Sequence, residues 1–299
     1  MAAIDYARPL TPSGNLRRRR AMDRLMRYGC TLAAIIAVGI LVLFIEAIVQ
    51  RGASVISWSF LTENPNESFG FHTAVGGIGN AIIGSAVICA IATVIAMPIG
   101  VLIALFLSEF ATPRIANPVR LALDLLYGLP SIVLAIFVYG ALVYGVGQSG
   151  FDASLALAMI MIPLIARTTG ESLSLVPQEL RDASHALGIS RWRTTLGMTI
   201  PSALGGIVTG TVLAVARAAG ETAPMLLLTS YANNPVTTGF NPFGPLNNIP
   251  YDIFNFSEEG GPTNIAKSWG AALVLIAFVL IANIVARALH ARSRRMITR

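Results

Sequence analysis

Charged residues are scarce in this sequence, and lysine is nearly missing from it. Asp, Glu, Lys and Arg make up 12% of the 299 residues, whereas hydrophobic residues make up 55%. Soluble domains carry ~25% charged residues, so the composition excludes an ordinary soluble domain and predicts an integral membrane protein. The net charge of +6 comes almost wholly from arginine, because Lys267 is the single lysine. Without interleaved aromatic residues, this charge does not indicate a nucleic-acid partner; membrane topology explains it better.

Cysteine and clustered ligand residues are also rare. Cys30 and Cys89 lie in apolar stretches, which predicts two buried thiols and no disulfide framework. No His/Cys/Asp/Glu cluster has metal-ligand spacing and no Ser/His/Asp set is evident, so we expect neither a metal site nor an enzyme. A Walker A loop needs Gly-Lys-Ser/Thr after a glycine-rich turn, whereas Lys267 follows Ala266 with no glycine run before it. We therefore expect no cofactor on this chain.

Long apolar stretches dominate the rest of the sequence. Each is close to or longer than the ~20 residues that a membrane-crossing helix needs. The six predicted spans cover approximately residues 31–50, 76–107, 121–147, 153–176, 201–229 and 268–289. The predicted fold is an all-α integral membrane protein with about six transmembrane helices. Residues 1–27 would form a basic N-terminal tail, and residues 28–299 the membrane domain.

The arginines predict how these spans are oriented. Arginine is concentrated in the N-terminal tail, in the turn with Arg114 and Arg120, in residues 177–200 and in the C-terminal tail. The alternate segments, which include the long polar stretch 231–267, hold only Arg51 and Lys267 as basic residues. The positive-inside rule then places both termini in the cytoplasm and the chain in the plasma or inner membrane.

Glycine and proline mark special points in the spans. Gly128-Leu129-Pro130-Ser131 interrupts the third span, and such a pair either kinks or breaks a membrane helix; the spacing alone slightly favours a kink. Gly84 and Ser85 belong to a small-residue face on the second span. Gly206 and Gly210 form a GxxxG pair on the fifth, and both patterns are typical of close helix packing.

Two arginines and two glutamates fall inside predicted spans. Arg167 and Arg217 each precede a glutamate by four residues, Glu171 and Glu221. One interpretation is that each pair neutralises itself locally and is only structural. The other is an anion path, because guanidinium binds phosphate oxygens bidentately and a buried charge needs a partner or a water-filled cavity. A glutamate could also accept a hydrogen bond from a protonated phosphate oxygen, which ionised sulfate lacks.

A polar island in residues 182–201 separates two apolar stretches. Leu180, Ala183 and Leu187 recur at helical spacing, and Gly188 is a residue that ends helices. A second short helix is expected through Trp192 until the next span begins near residue 201. A solvated amphipathic loop on the membrane surface explains the periodicity equally well.

The island resembles the cytoplasmic "EAA" loop of ABC importer permeases. Asp182, Ala183 and Ser184 match its opening, Gly188 its glycine, and Ile200-Pro201 its close, although Asp182 and Ser184 replace the commoner Glu and Ala. The resemblance implies that the loop at residues 177–200 docks a helix into an ATPase subunit. The implied coupling residues are Asp182, Ala183, Ser184, Ala186, Leu187 and Gly188.

A second resemblance indicates which class of substrate the chain would transport. Arg217-Ala218-Ala219-Gly220-Glu221-Thr222-Ala223-Pro224 is similar to the RAxGETAP signature of phosphate-specific ABC permeases, most closely the A-type subunit of the phosphate (Pst) importer. It implies a type I ABC importer permease. Its partners would be a C-type permease, two ATPase subunits that bind Mg-ATP and an extracytoplasmic phosphate-binding protein, with membrane lipid around it. The implied path residues are Arg217, Glu221, Arg167, Glu171 and Thr222.

Other functional classes remain as alternatives. A sulfate or molybdate ABC permease would share the EAA-like loop but is not expected to share the RAAGETAP stretch. A gradient-driven secondary transporter also places ionisable residues in broken helices, but it needs no ATPase dock. A membrane scaffold that transports nothing gives Arg167 and Arg217 no reason to be buried.

Overall fold

The computed structural model describes residues 16–64, 76–229 and 241–297, and in these ranges it is all-helical. The helices are α1 (Leu16–Gly52), α2 (Trp58–Thr62), α3 (Gly79–Leu105), α4 (Pro113–Gly128), α5 (Ser131–Val138), α6 (Gly150–Ser174), α7 (Gln178–Ala186), α8 (Arg191–Thr194), α9 (Ile200–Ala219), α10 (Ala223–Leu228), α11 (Ile249–Glu259) and α12 (Gly261–Ile297). Three π-helical turns follow α3, α5 and α8, at Phe106–Phe110, Tyr139–Val143 and Thr195–Thr199.

The chain divides into two units, residues 1–50 and residues 51–299. In the first unit, α1 begins at Leu16 and runs without interruption through the first apolar stretch. Residues 16–27 of the predicted tail are helical, so α1 begins before the first apolar stretch. Their Arg, Leu, Met and Ala side chains are good helix formers, so the span extends beyond its apolar part.

The prediction of about six membrane spans is confirmed. Among the described residues, five helical segments are long and apolar enough to cross a membrane, and α4 with α5 supplies a sixth if the bent pair counts as one span. This pair is bent by 99° at residues 129–130, so the expected simple kink is wrong and the helix is broken. Leu129 precedes Pro130 and takes an extended conformation (ψ 137°), because the proline ring disfavours a helical residue before it.

Helix α6 lies at the centre of the second unit, between α3 and α9. Leu157, Met161 and Ile165 on α6 are fully buried. A side chain at Gly206 would collide with Ser172, and one at Gly210 with Thr168. The predicted GxxxG contact is thus confirmed, and it is the place where α9 approaches α6.

The observed helices differ from the fifth predicted span, residues 201–229, at both ends. Its helix already starts at Arg191 and continues through the π-helical turn and Pro201 as one candidate span. Pro201 cannot donate to the carbonyl of Gly197, and the wider π-helical turn lies immediately before it. At the other end α9 stops at Ala219 and α10 begins at Ala223, because Gly220 is a poor helix former and Pro224 lacks an N–H donor.

Residues 241–267, the described part of the long polar stretch, are partly helical and not merely a polar loop. The side chain of Asn248 caps α11 by accepting a hydrogen bond from the amide of Tyr251 at 2.9 Å. The hydroxyl of Ser85 accepts a bond from the amide of Ile249 at 2.9 Å, and a side chain at Gly84 would strike the carbonyl of Asn247. The small-residue face predicted on the second span is thereby confirmed as the surface on which the start of α11 rests.

Candidate functional site: an arginine-lined cavity at two helix breaks

The two helix breaks meet at an arginine and a tyrosine. Arg217 occupies the last turn of α9, and Tyr127 the last turn of α4. The guanidinium carbon of Arg217 lies 5.1 Å from the centre of the Tyr127 ring, which is a cation–π contact. The negative end of the α9 dipole also favours a cation at this position.

Glu221 lies in the break between α9 and α10 and faces Arg217. Its Oε1 is 3.7 Å from Nε of Arg217, which is ion-pair distance but longer than a hydrogen bond. Glu221 is 17% exposed and Arg217 44% exposed, so the pair leaves part of the guanidinium open. Thr222, the N-cap of α10, is exposed beside them.

Arg167 and Glu171 form the second predicted pair, on α6. Nε of Arg167 donates to Oε1 of Glu171 at 3.4 Å, a long hydrogen bond. The two side chains are 62% and 69% exposed in this single chain, so neither charge is sealed inside it. Both pairs that the sequence suggested therefore exist, and in both the arginine can still reach another group.

A cavity of about 580 Å³ on the arginine-rich side of the molecule is lined by Tyr127 and Arg167, one residue from each of the two regions. It lies mainly between α4 and α6, and the π-helical turn Phe106–Phe110 contributes to its wall. Its lining includes three arginines, one carboxylate, one tyrosine and two serines: Arg120, Arg167, Arg181, Asp124, Tyr127, Ser108 and Ser174. The size lies in the range of ligand pockets, and the prevailing charge suits an anion.

Arg181 fixes α7 to the cavity wall. Its Nη2 lies 3.0 Å from Oε1 of Glu109 and donates to the carbonyl of Leu173 at 2.9 Å, while Nη1 donates to Oε1 of Gln178 at 3.2 Å. Both charged side chains of the ion pair are largely buried. Because Arg181 lies on α7 and Glu109 on the π-helical turn after α3, this pair ties α7 to the transmembrane helices.

The predicted coupling residues lie on and directly after α7, and most are exposed. Gly188 has φ +74°, a left-handed conformation that glycine adopts without strain, so its predicted helix-ending role is confirmed. Leu187 is 79% exposed, and Ala183 and Ala186 are exposed as well. Asp182 is also exposed and accepts a hydrogen bond from Gln178 at 3.2 Å. The exposed apolar residues form a surface that another protein could cover.

Ser184 is the exception among these residues. It is 3% exposed, and its hydroxyl lies 2.7 Å from that of Thr194 on α8. This bond holds the two short helices together, and an alanine at the position could not make it. The departure from the commoner alanine therefore has a structural explanation, because Ser184 stabilises the packing of α7 against α8.

Sequence reasoning missed several residues of the cavity. In the sequence, Arg120 and Arg181 indicate only topology, and no motif includes Asp124 or Tyr127. Spacing did carry a signal, because residues 120, 124 and 127 repeat at helical intervals and share one face of α4. In the described ranges, no group of three His, Cys, Asp or Glu side chains could hold a metal ion.

Comparison with known proteins places the chain among transport proteins. Residues 96–295 match the family model "Binding-protein-dependent transport system inner membrane component". "Phosphate transport system permease protein PstA 1" of Mycobacterium tuberculosis is 38% identical over 226 residues, which cover 74% of this chain and 73% of the relative. "Phosphate transport system permease protein PstA" of Pasteurella multocida is 35% identical over 272 residues, which cover 90% of this chain and 94% of the relative.

Solved structures share the fold at lower identity. A bacterial alginate ABC transporter, in complex with its alginate pentasaccharide-bound periplasmic protein, aligns with a TM-score of 0.63 at 17% identity, over 92% of this chain and 98% of the other. The MetNI methionine ABC transporter in an inward-facing conformation aligns with a TM-score of 0.55 at 17% identity. The alignment covers 71% of this chain and 92% of the other. At this identity the likeness concerns the fold alone.

Proposed function

This chain belongs to the binding-protein-dependent transport system inner membrane components, among the phosphate transport permeases, and on that premise we propose how it moves inorganic phosphate into the cytoplasm. It is a multi-pass inner-membrane permease with the type I ABC importer architecture. ATP hydrolysis takes place on partner subunits that bind Mg-ATP, and this chain carries the transmembrane path.

The meeting of both helix breaks at Arg217 is the observation that supports the path most strongly. A guanidinium held by a tyrosine ring and by one carboxylate oxygen is oriented in advance and still has donors available for a dianion. Glu221 keeps the charge balanced while the path is empty. Arg167 and Glu171 lie beside the cavity that follows, and Thr222 offers a hydroxyl at the break.

The coupling segment would transmit ATPase closure to this path. The exposed surface of α7, with Ala183, Ala186 and Leu187, docks on the ATPase, and Asp182 borders it. The Glu109–Arg181 pair carries movement of α7 to the end of α3 and to the cavity wall. Ser184 keeps α7 and α8 moving as one body, and Gly188 permits the turn between them.

The assembly we propose contains this chain, a C-type permease, two ATPase subunits and an extracytoplasmic phosphate-binding protein. Both termini lie in the cytoplasm, so that α7 faces the ATPase. The partner permease would cover the exposed sides of α4 and α5, and membrane lipid would surround the outer helices. Sulfate or molybdate import and a gradient-driven carrier are not favoured, because the similar relatives are phosphate transport permeases.

Uptake in cells tests this function. Deleting the gene in its host should abolish ATP-dependent, high-affinity phosphate uptake, and a plasmid copy should restore it, while sulfate and molybdate uptake stay normal. Loss of sulfate or molybdate uptake with phosphate uptake intact would contradict the proposal. Phosphate uptake that survives ATP depletion but collapses with an ionophore would indicate a secondary transporter instead.

A further inference from the structure

One face of α4 continues the path beyond Arg217. Tyr127 contacts Arg217 and also lines the cavity, so the two regions share a wall. Asp124 and Arg120 follow on the same helix face, one and two turns away. At 1.5 Å per residue, Arg120 lies ~10 Å beyond Tyr127 toward the arginine-rich side.

The charges on this face are available to a ligand. Arg181 is held by Glu109 and Arg167 by Glu171. Neither Arg120 nor Asp124 belongs to an ion pair among the described residues. Both line the cavity, so an anion that leaves Arg217 next meets one free guanidinium and one free carboxylate.

We propose that Arg120 and Asp124 form a phosphate subsite in this cavity and that Asp124 selects the protonated anion; this inference depends on the proposed function. Arg120 donates to phosphate oxygens, assisted by Arg167. An ionised carboxylate can only accept, so Asp124 binds the O–H of hydrogen phosphate and repels fully ionised sulfate. Sites that hydrogen-bond a substrate hydroxyl reject analogues without it much more strongly than apolar pockets do.

Transport by the complete reconstituted complex tests the role of Arg120. Arg114 is a matched control because it is an exposed arginine on the same helix but does not line the cavity. Arg120→Gln should slow phosphate uptake by about tenfold, the factor that one charge-assisted hydrogen bond supplies, and Arg114→Gln by less than about twofold. Arg120→Lys keeps the charge but lacks the bidentate donor geometry of a guanidinium, so its phosphate uptake should be intermediate.

Sulfate added on the ATPase side tests Asp124, since the cavity lies on that side in the proposed orientation. Sulfate should leave wild-type uptake nearly unchanged but inhibit Asp124→Asn severalfold, because an amide can donate to a fully ionised oxyanion. Equal uptake by Arg120→Gln and Arg114→Gln in assembled complexes, or sulfate insensitivity of Asp124→Asn, would overturn the subsite. Failure of the wild-type complex to move phosphate would instead refute the proposed function.

Discussion

Replacing Arg217 by glutamine separates a transport role from a structural one. Glutamine retains length and some hydrogen bonding but removes the charge. The Arg217–Glu221 contact is 3.7 Å long and the arginine is 44% exposed. A helical i,i+4 ion pair contributes only ~0.3–0.5 kcal/mol and an exposed cation–π contact about 0.5–1 kcal/mol, and Glu221 keeps 17% of its side chain exposed when the arginine is removed. Assembly of the complex should therefore survive the substitution.

Transport should respond much more strongly than assembly. A lost hydrogen bond to a charged group is worth ~1.5–3 kcal/mol, so phosphate uptake should fall about tenfold or more. Arg217→Lys should recover only part of it, because an ammonium lacks the bidentate fork. Uptake is measured with radiolabelled phosphate in proteoliposomes that contain the whole complex. Arg51→Gln is a matched control, because Arg51 also stacks on an aromatic ring, that of Trp269 at 4.9 Å, but lies away from the cavity.

The double variant decides between the two roles. If Arg217 merely neutralises Glu221, then Arg217→Gln together with Glu221→Gln removes both charges and should restore uptake. If Arg217 contacts phosphate, the double variant remains as slow as the single one. Normal uptake by a correctly assembled double variant would refute the path assignment.

Three further predictions concern coupling, topology and pH. Ala183→Asp should place an unpaired charge at the ATPase contact and lower phosphate-stimulated ATP hydrolysis severalfold with normal membrane insertion; unchanged coupled hydrolysis would exclude this contact. A cysteine at position 233, which lies outside the described residues (Asn233), should react with an impermeant thiol reagent from outside, and one in place of Ser190 should not; the reverse pattern would invert the topology. Burial raises the pKa of Asp252 on α11 to about 7, so folding favours its protonated form, and stability conferred by that proton is lost as pH rises from about 4 toward 7. Asp252→Asn should flatten the dependence of thermal stability on pH in this window, and an unchanged pH profile would contradict the assigned ionisation.

Local sequence rules predicted the features that depend on one residue type. Gly188 ends α7 in a left-handed conformation, and Gly206 and Gly210 bring α9 against α6. The six apolar stretches predicted the membrane spans, because a helix that crosses a bilayer must be long and low in polarity. The two Arg–Glu pairs were also predictable, because residues four apart on a helix face each other.

Features that depend on neighbouring helices could not be read from the sequence. Whether Gly128 and Pro130 kink or break a helix depends on what packs on each side, and the structure has a 99° break. The meeting of Tyr127 with Arg217 joins residues 90 positions apart, which no local period encodes. The EAA-like resemblance assigns Ser184 to the coupling residues, but it could not show that the hydroxyl turns inward to Thr194.

Uptake by the purified assembly tests the central claim most directly. The complex of this chain with its partner permease, ATPase subunits and binding protein is reconstituted in vesicles, and accumulation of labelled phosphate is followed with and without ATP. We predict uptake that requires ATP and the binding protein, continues when ionophores remove all ion gradients, and is not matched by labelled sulfate or molybdate. Phosphate accumulation without ATP, or transport of sulfate or molybdate in place of phosphate, would contradict the account.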